Sequence, residues 1–135
     1  MSSNTLDGLQ SFTERHDYHS WLDLQLDNVD HGKVQISIPA NENLHNPGRN
    51  GLIHGGIAAT LIDTASGFAL RTTFEDPVTA RLATTDLNVS YLRPATGTLI
   101  AEAKVLRAGE TTGVTDVSVK STDEDESVAA GRTTY

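Results

Sequence analysis

Leu22, Leu24 and Leu26 alternate with Asp23, Gln25 and Asp27, the period-2 pattern of a strand with one wet face. The turn residues Asp30-His31-Gly32 follow, and Val34, Ile36 and Ile38 then repeat the pattern until Pro39 ends it. Residues 41–51 form a polar loop, long for a compact domain and so a functional candidate. The period then changes. In residues 46–70, NPGRNGLIHGGIAATLIDTASGFAL, Ile57, Leu61, Ala65 and Phe68 fall in one arc at about 100° per residue, with Ile62 and Ala69 beside them. That is one apolar helix face. Gly55, Gly56, Thr60, Thr64, Ser66 and Gly67 are poor helix formers, so packing against other elements must hold this helix.

Alternation returns in Leu87, Val89 and Tyr91, in Leu99, Ala101, Ala103 and Val105, in Val117 and Val119, and from Val128 onward. Turn signals at 75–77, 94, 108–110 and 122–126 separate these runs. The expected order is two strands, one long helix, then four strands in a meander. Helix and strands do not alternate, so the class is α+β, most economically one sheet curled around one helix. Such a sheet leaves an edge strand and an uncovered face, and self-association is expected.

The chain has 135 residues, enough for one domain, 1–135, with a sizeable core. Residues 1–15 read as an N-terminal leader, helical from Leu6, and the aromatic-rich 16–21 as packing one end of the domain. Cysteine is absent, which excludes a disulfide framework and a Cys nucleophile. No apolar run approaches the ~20 residues of a membrane span, and the first residues lack the basic start and apolar core of a signal peptide. A cytoplasmic protein with no membrane partner is the expectation. The net charge of -8 argues against a nucleic-acid partner. Three lysines face eleven aspartates. A solvated acidic surface and adaptation to a salt-rich, halophilic cytoplasm are both open readings.

The five histidines show no HExxH spacing, and no P-loop, GxGxxG or GxSxG occurs. No metal site is expected. The helix start is different. Gly55 and Gly56 leave backbone N–H groups free where the dipole favours negative charge, and they admit a ligand carbonyl without a Cβ clash. Half an oxyanion hole is one reading; a tightly packed glycine turn is the other. Asp63 lies nearly opposite the apolar stripe, among Ala59, Ser66 and Gly67, and is either a solvated carboxylate or the second half of a site. Eight residues separate it from Gly55, about 12 Å of helix. One carbonyl cannot touch both in the same chain. A second, antiparallel helix across a two-fold axis would bring its Asp63 to this Gly55, so the site, if present, is shared between subunits.

His54-Gly55-Gly56 followed by Leu61-x-Asp63 resembles the HGG-x4-L-x-D signature of hotdog-fold acyl-CoA thioesterases of the phenylacetic-acid-degradation type. Thr84-Thr85-Asp86-Leu87-Asn88-Val89-Ser90-Tyr91-Leu92-Arg93-Pro94 resembles that family's strand after the helix. The resemblance spans roughly residues 20–134. It implies a homodimer, usually paired into a homotetramer, that hydrolyses acyl-CoA without a metal or bound cofactor, coenzyme A being part of the substrate. It makes Gly55 the oxyanion donor, Asp63 of the other subunit the base or nucleophile, Thr84 the residue that positions water or that carboxylate, and His54 a loop-fixing group. Gly56 completes the glycine pair. The family's asparagine falls at Gly48 here. Asn46 is favoured as its equivalent by a two-residue insertion, with Asn50 the alternative. Arg93 and Arg107 are candidates for the coenzyme A phosphates. A hydratase would need a catalytic histidine, and none follows Asp63. A non-catalytic acyl-CoA-binding or regulatory module is the competing function.

Overall fold

The computed structural model describes residues 3–48 and 51–135. The first two alternating runs fold as an antiparallel hairpin, β1 (Gln25–Asp30) and β2 (Lys33–Ile38). Gly32 turns it at φ 71°, a left-handed conformation that costs glycine no Cβ clash. β1 begins later than its alternation predicts. Leu22 ends a short helix, α2 (Asp17–Leu22), and Asp23 caps it at φ 54°. Leu22 and Leu24 are nevertheless both buried, so the alternation there recorded burial and not strand.

The periodic stretch is α3 (Gly55–Arg71). Leu61, Ile62, Ala65 and Ala69 are completely buried on it, facing a six-stranded antiparallel sheet that packs around the helix. The sheet's inner face presents Ile36 from β2, Ala101 and Ala103 from β4 (Leu99–Ala108), Val119 from β5 (Gly113–Ser121) and Val128 from β6 (Ser127–Thr134). Alanines at 101 and 103 let the helix lie close. Burying each Leu or Ile side chain contributes about 1.5–3 kcal/mol. Ser66, expected on the open face, is buried instead and donates to the Thr133 hydroxyl across 3.0 Å, which satisfies both groups.

The last four strands do not form one meander. β4, β5 and β6 do, but β3 (Asp86–Tyr91) crosses to the far edge and pairs with β6, giving the order β1-β2-β4-β5-β6-β3. Alternation identifies strands but carries no information on which strands are neighbours, and consecutive strands lie side by side only about two-thirds of the time. β3 is largely exposed, with Leu87, Tyr91 and neighbouring Leu92 open to solvent.

Residues 1–15, expected as a leader, include α1 (Ser3–Arg15), a helix docked onto the domain. Leu9 is fully buried, and Phe12 meets Phe68 of α3 edge-on at 6.1 Å. In 16–21, His19 is buried but Trp21 remains 61% exposed. The Tyr18 hydroxyl bonds that of Thr60 on α3 at 2.8 Å. No helix among the described residues is long and apolar enough to cross a membrane.

Candidate active site

The polar loop is sewn together by its backbone. A short 3-10 turn, Glu42–Leu44, precedes an isolated bridge between His45 and Ile53. The Asn46 N–H donates to Leu52 O at 2.8 Å, and the His54 N–H to Leu44 O at 2.8 Å. Ile53 N–H donates to Ala95 O at 2.9 Å, tying the loop to the segment after β3. This fixes the start of α3. His54 is its N-cap, and His54 Nδ1 accepts the Gly56 N–H at 2.9 Å. An accepting Nδ1 carries no proton, so a neutral imidazole holds its proton on Nε2.

Among the described residues nothing accepts from the Gly55 N–H. Its carbonyl accepts from the Tyr91 hydroxyl at 2.7 Å. A Cβ on Gly55 would lie 3.2 Å from that tyrosine ring, so glycine is what allows β3 to approach the helix start. Asn46, His54, Gly55, Tyr91 and Arg93 line one cavity of about 370 Å³. Arg93 is already engaged there: it forms an ion pair with Glu126 and donates to Ser127 O at 2.6 Å. Arg107 lies elsewhere, beside Lys33 and Lys104 in a separate cavity. Asn50 lies outside the described residues.

Two turns further along α3, the half-buried Asp63 faces a second recess, of about 190 Å³, with Thr84, Tyr135, Arg71 and His16. The Thr84 hydroxyl donates to Asp63 Oδ1 at 2.6 Å. Thr84 was expected on a strand but sits in the connection before β3. The Tyr135 hydroxyl lies 2.7 Å from Asp63 O and 3.0 Å from Asp63 Oδ1. Burial, above all, and the nearby Asp63 carboxylate push the Tyr135 phenol above its ordinary range, so it stays a donor. Arg71 anchors the recess wall by donating to Pro77 O, Val78 O and Ala80 O at 3.0, 3.3 and 2.8 Å. Its guanidinium stacks 4.8 Å from the Phe12 ring, and burial lowers its pKa.

Each chain thus carries Gly55, His54 and Asn46 at one cavity and Asp63 with Thr84 at another. Sequence reasoning missed Tyr91, Tyr135 and Arg71. An exposed aromatic in the alternation of β3 was a signal for Tyr91. No local signal links Tyr135 to Asp63, because the two lie 72 residues apart and meet only where Tyr135, paired with Gly113, reaches α3.

The Thioesterase superfamily model matches residues 50–128, more than half of the chain. The chain belongs to the thioesterase superfamily. A protein of Halobacterium salinarum, named only provisionally as an esterase, is 46% identical over 134 residues, covering 94% of this chain and 88% of its own. Human acyl-coenzyme A thioesterase 13 is 34% identical over 86 residues, 62% of this chain and 59% of that protein. The structure of zebra fish thioesterase superfamily member 2 matches with a TM-score of 0.81 at 25% identity, over 99% of this chain and 96% of that one. The superfamily member's architecture is the hotdog fold, a six-stranded antiparallel sheet around one long helix.

Proposed function

We propose that the protein is an acyl-CoA thioesterase whose site is shared across a subunit interface, in a homodimer or a homotetramer of such dimers. The observation that carries this reading is the division of the half-sites. A Gly55 N–H that finds no acceptor among the described residues and a hydroxyl-held carboxylate at Asp63 stand eight residues apart on one helix, about 12 Å. Two antiparallel copies of α3 would complete two sites. The exposed apolar side chains of Leu87, Tyr91 and Leu92 on and after edge strand β3 suit burial against a second copy. The relatives named as acyl-CoA thioesterases support the substrate class.

In this mechanism the Gly55 N–H polarises the thioester carbonyl, and Asn46 helps orient the thioester or the water. Asp63 of the partner acts in one of two ways. As a base it takes a proton from water while the water oxygen attacks the carbonyl carbon. As a nucleophile it attacks that carbon itself, and water then cleaves the anhydride. In both cases the C–S bond breaks and the thiolate leaves, giving a carboxylic acid and free coenzyme A. Oxyanion stabilisation acts at the developing charge, where a preset donor is most effective.

Incubation with a panel of acyl-CoAs and measurement of released thiol tests this. Release above the uncatalysed rate that is lost in Asp63→Asn is the expected result. Saturable acyl-CoA binding without thiol release would make the protein a binding module instead.

A further inference from the structure

We propose that Tyr135 is a positioning residue that, with Thr84, holds Asp63 Oδ1 and leaves Asp63 Oδ2 as the oxygen that reacts. The inference rests on the assignment of Asp63 as base or nucleophile and adds which of its oxygens acts and what sets its orientation.

Both hydroxyls converge on one oxygen. Thr84 Oγ1 lies 2.6 Å from Asp63 Oδ1, and the single proton of the Tyr135 phenol is shared between Asp63 Oδ1 at 3.0 Å and Asp63 O at 2.7 Å. Asp63 Oδ2 has no hydrogen-bond partner among the described residues. A carboxylate fixed through one oxygen cannot rotate about its Cβ–Cγ bond without breaking those bonds. Charge-assisted bonds of this kind are about twice as strong as neutral ones. Oδ2 is therefore presented in one direction, as a general base or nucleophile requires.

The phenol is built into this position from both sides. The Tyr135 N–H donates to Gly113 O at 2.9 Å, and the Gly113 N–H returns a bond to Tyr135 O at 3.1 Å. On the helix, a Cβ at Gly67 would come 2.9 Å from the Tyr135 hydroxyl oxygen, whereas the ring carbons nearest to it would stand at 3.5 and 3.8 Å. Glycine at 67 thus makes room for the hydroxyl and not for the ring. A tyrosine serving only to fill space would not need that gap.

The test is a kinetic cycle on the full chain with an acyl-CoA that the wild type cleaves. Tyr135→Phe removes the hydroxyl and keeps the ring. It should lower kcat about tenfold, the effect of losing one orienting hydrogen bond, with KM unchanged. Gly67→Ala, which crowds the hydroxyl away, should lower kcat similarly. Gly67→Ala added to Tyr135→Phe should cost nothing more, because the displaced atom is gone. In an Asp63→Asn background, Tyr135→Phe should leave the residual rate unaltered. Wild-type kcat in Tyr135→Phe, alongside an inactive Asp63→Asn, overturns the positioning role and leaves the assignment of Asp63 standing. An equal loss from Tyr135→Phe with and without Asp63 also overturns it, since the tyrosine would then act through the fold. Full activity in Asp63→Asn removes the catalytic assignment itself, and this inference with it.

Discussion

The Gly55 N–H can be deleted while the local backbone stays in place, by changing Gly55 to proline. Proline is favoured at the first helical position, where the N–H has no intrahelical acceptor. It drives the preceding residue toward extended backbone, and His54 already lies at φ -55°, ψ 133°. The new Cβ would stand 3.2 Å from the Tyr91 ring, and Tyr91 is 58% exposed, so the ring can move by a few tenths of an ångström. Gly55→Ala introduces the same Cβ and keeps the N–H, so the ratio of the two variants isolates the donor. Removing one oxyanion donor costs about 10²–10³ in kcat, roughly 2.7–4 kcal/mol. Thiol release at saturating acyl-CoA measures kcat, and a thermal melt reports the fold. Gly55→Pro should fall by that factor relative to Gly55→Ala, with both melting near the wild type. The separation of about 12 Å along α3 adds a second expectation. Differently tagged Gly55→Pro and Asp63→Asn chains, refolded together, should place both lesions in one site and leave the other intact. Purified mixed dimers should then regain about half of the wild-type rate. Equal kcat for the Pro and Ala variants would refute the donor role, and dead mixed dimers would refute the sharing.

Five further outcomes are expected. Asp63→Asn should lower kcat by about 10²–10⁴-fold, and Thr84→Ala by about tenfold through its one bond to Oδ1, in thiol-release assays on variants that still fold. Burial first, and the adjacent His16 second, lower the His19 pKa from 6.5 to about 4. The unfolded chain therefore binds the proton first, and stability that is full above pH 6.5 should decline by a few kcal/mol as pH falls toward 4; thermal melts of His19→Asn should be flatter across that window. Thr115 is fully buried on β5, and among the described residues its hydroxyl has no partner; Thr115→Val should raise the melting temperature, since an unpaired buried hydroxyl costs about 1–3 kcal/mol. If the acidic surface, net -8, serves a salt-rich cytoplasm, melting temperature and activity should rise from low salt to molar potassium chloride as repulsion is screened, and a flat curve would reject that role.

The periodicities located α3 and the strands because burial repeats at about 3.6 or 2 residues whichever neighbours supply it. The same property misplaced Leu22, whose burial comes from a helix end. It was silent on β3, whose crossing to β6 depends on pairing between distant segments. The candidate site was legible where its chemistry is local: His54-Gly55-Gly56 forms a helix start, and the spacing to Asp63 is a helical distance. Tyr135 was not legible, because its bond to Asp63 spans 72 residues and depends on how the sheet packs on α3. Arg71 is a lone cation in the sequence, and its acceptors are backbone carbonyls of the 77–80 loop, which no side-chain pattern marks.

The crossing of β3 also sets when during folding the site comes into being. Contacts between β1 and β2, or between β4 and β5, close short loops and can form early. The pairing of β3 with β6 must bring together segments some 40 residues apart around an already collapsed helix, and loop-closure entropy delays such contacts. Thr84, which directly precedes β3, meets Asp63 only when that pairing is made. Partly folded chains would hold a formed hairpin and a formed α3 while their carboxylate still lacks its bond from Thr84. During refolding, secondary structure should therefore return before thioester cleavage, and the lag between them would time the long-range closure of the sheet.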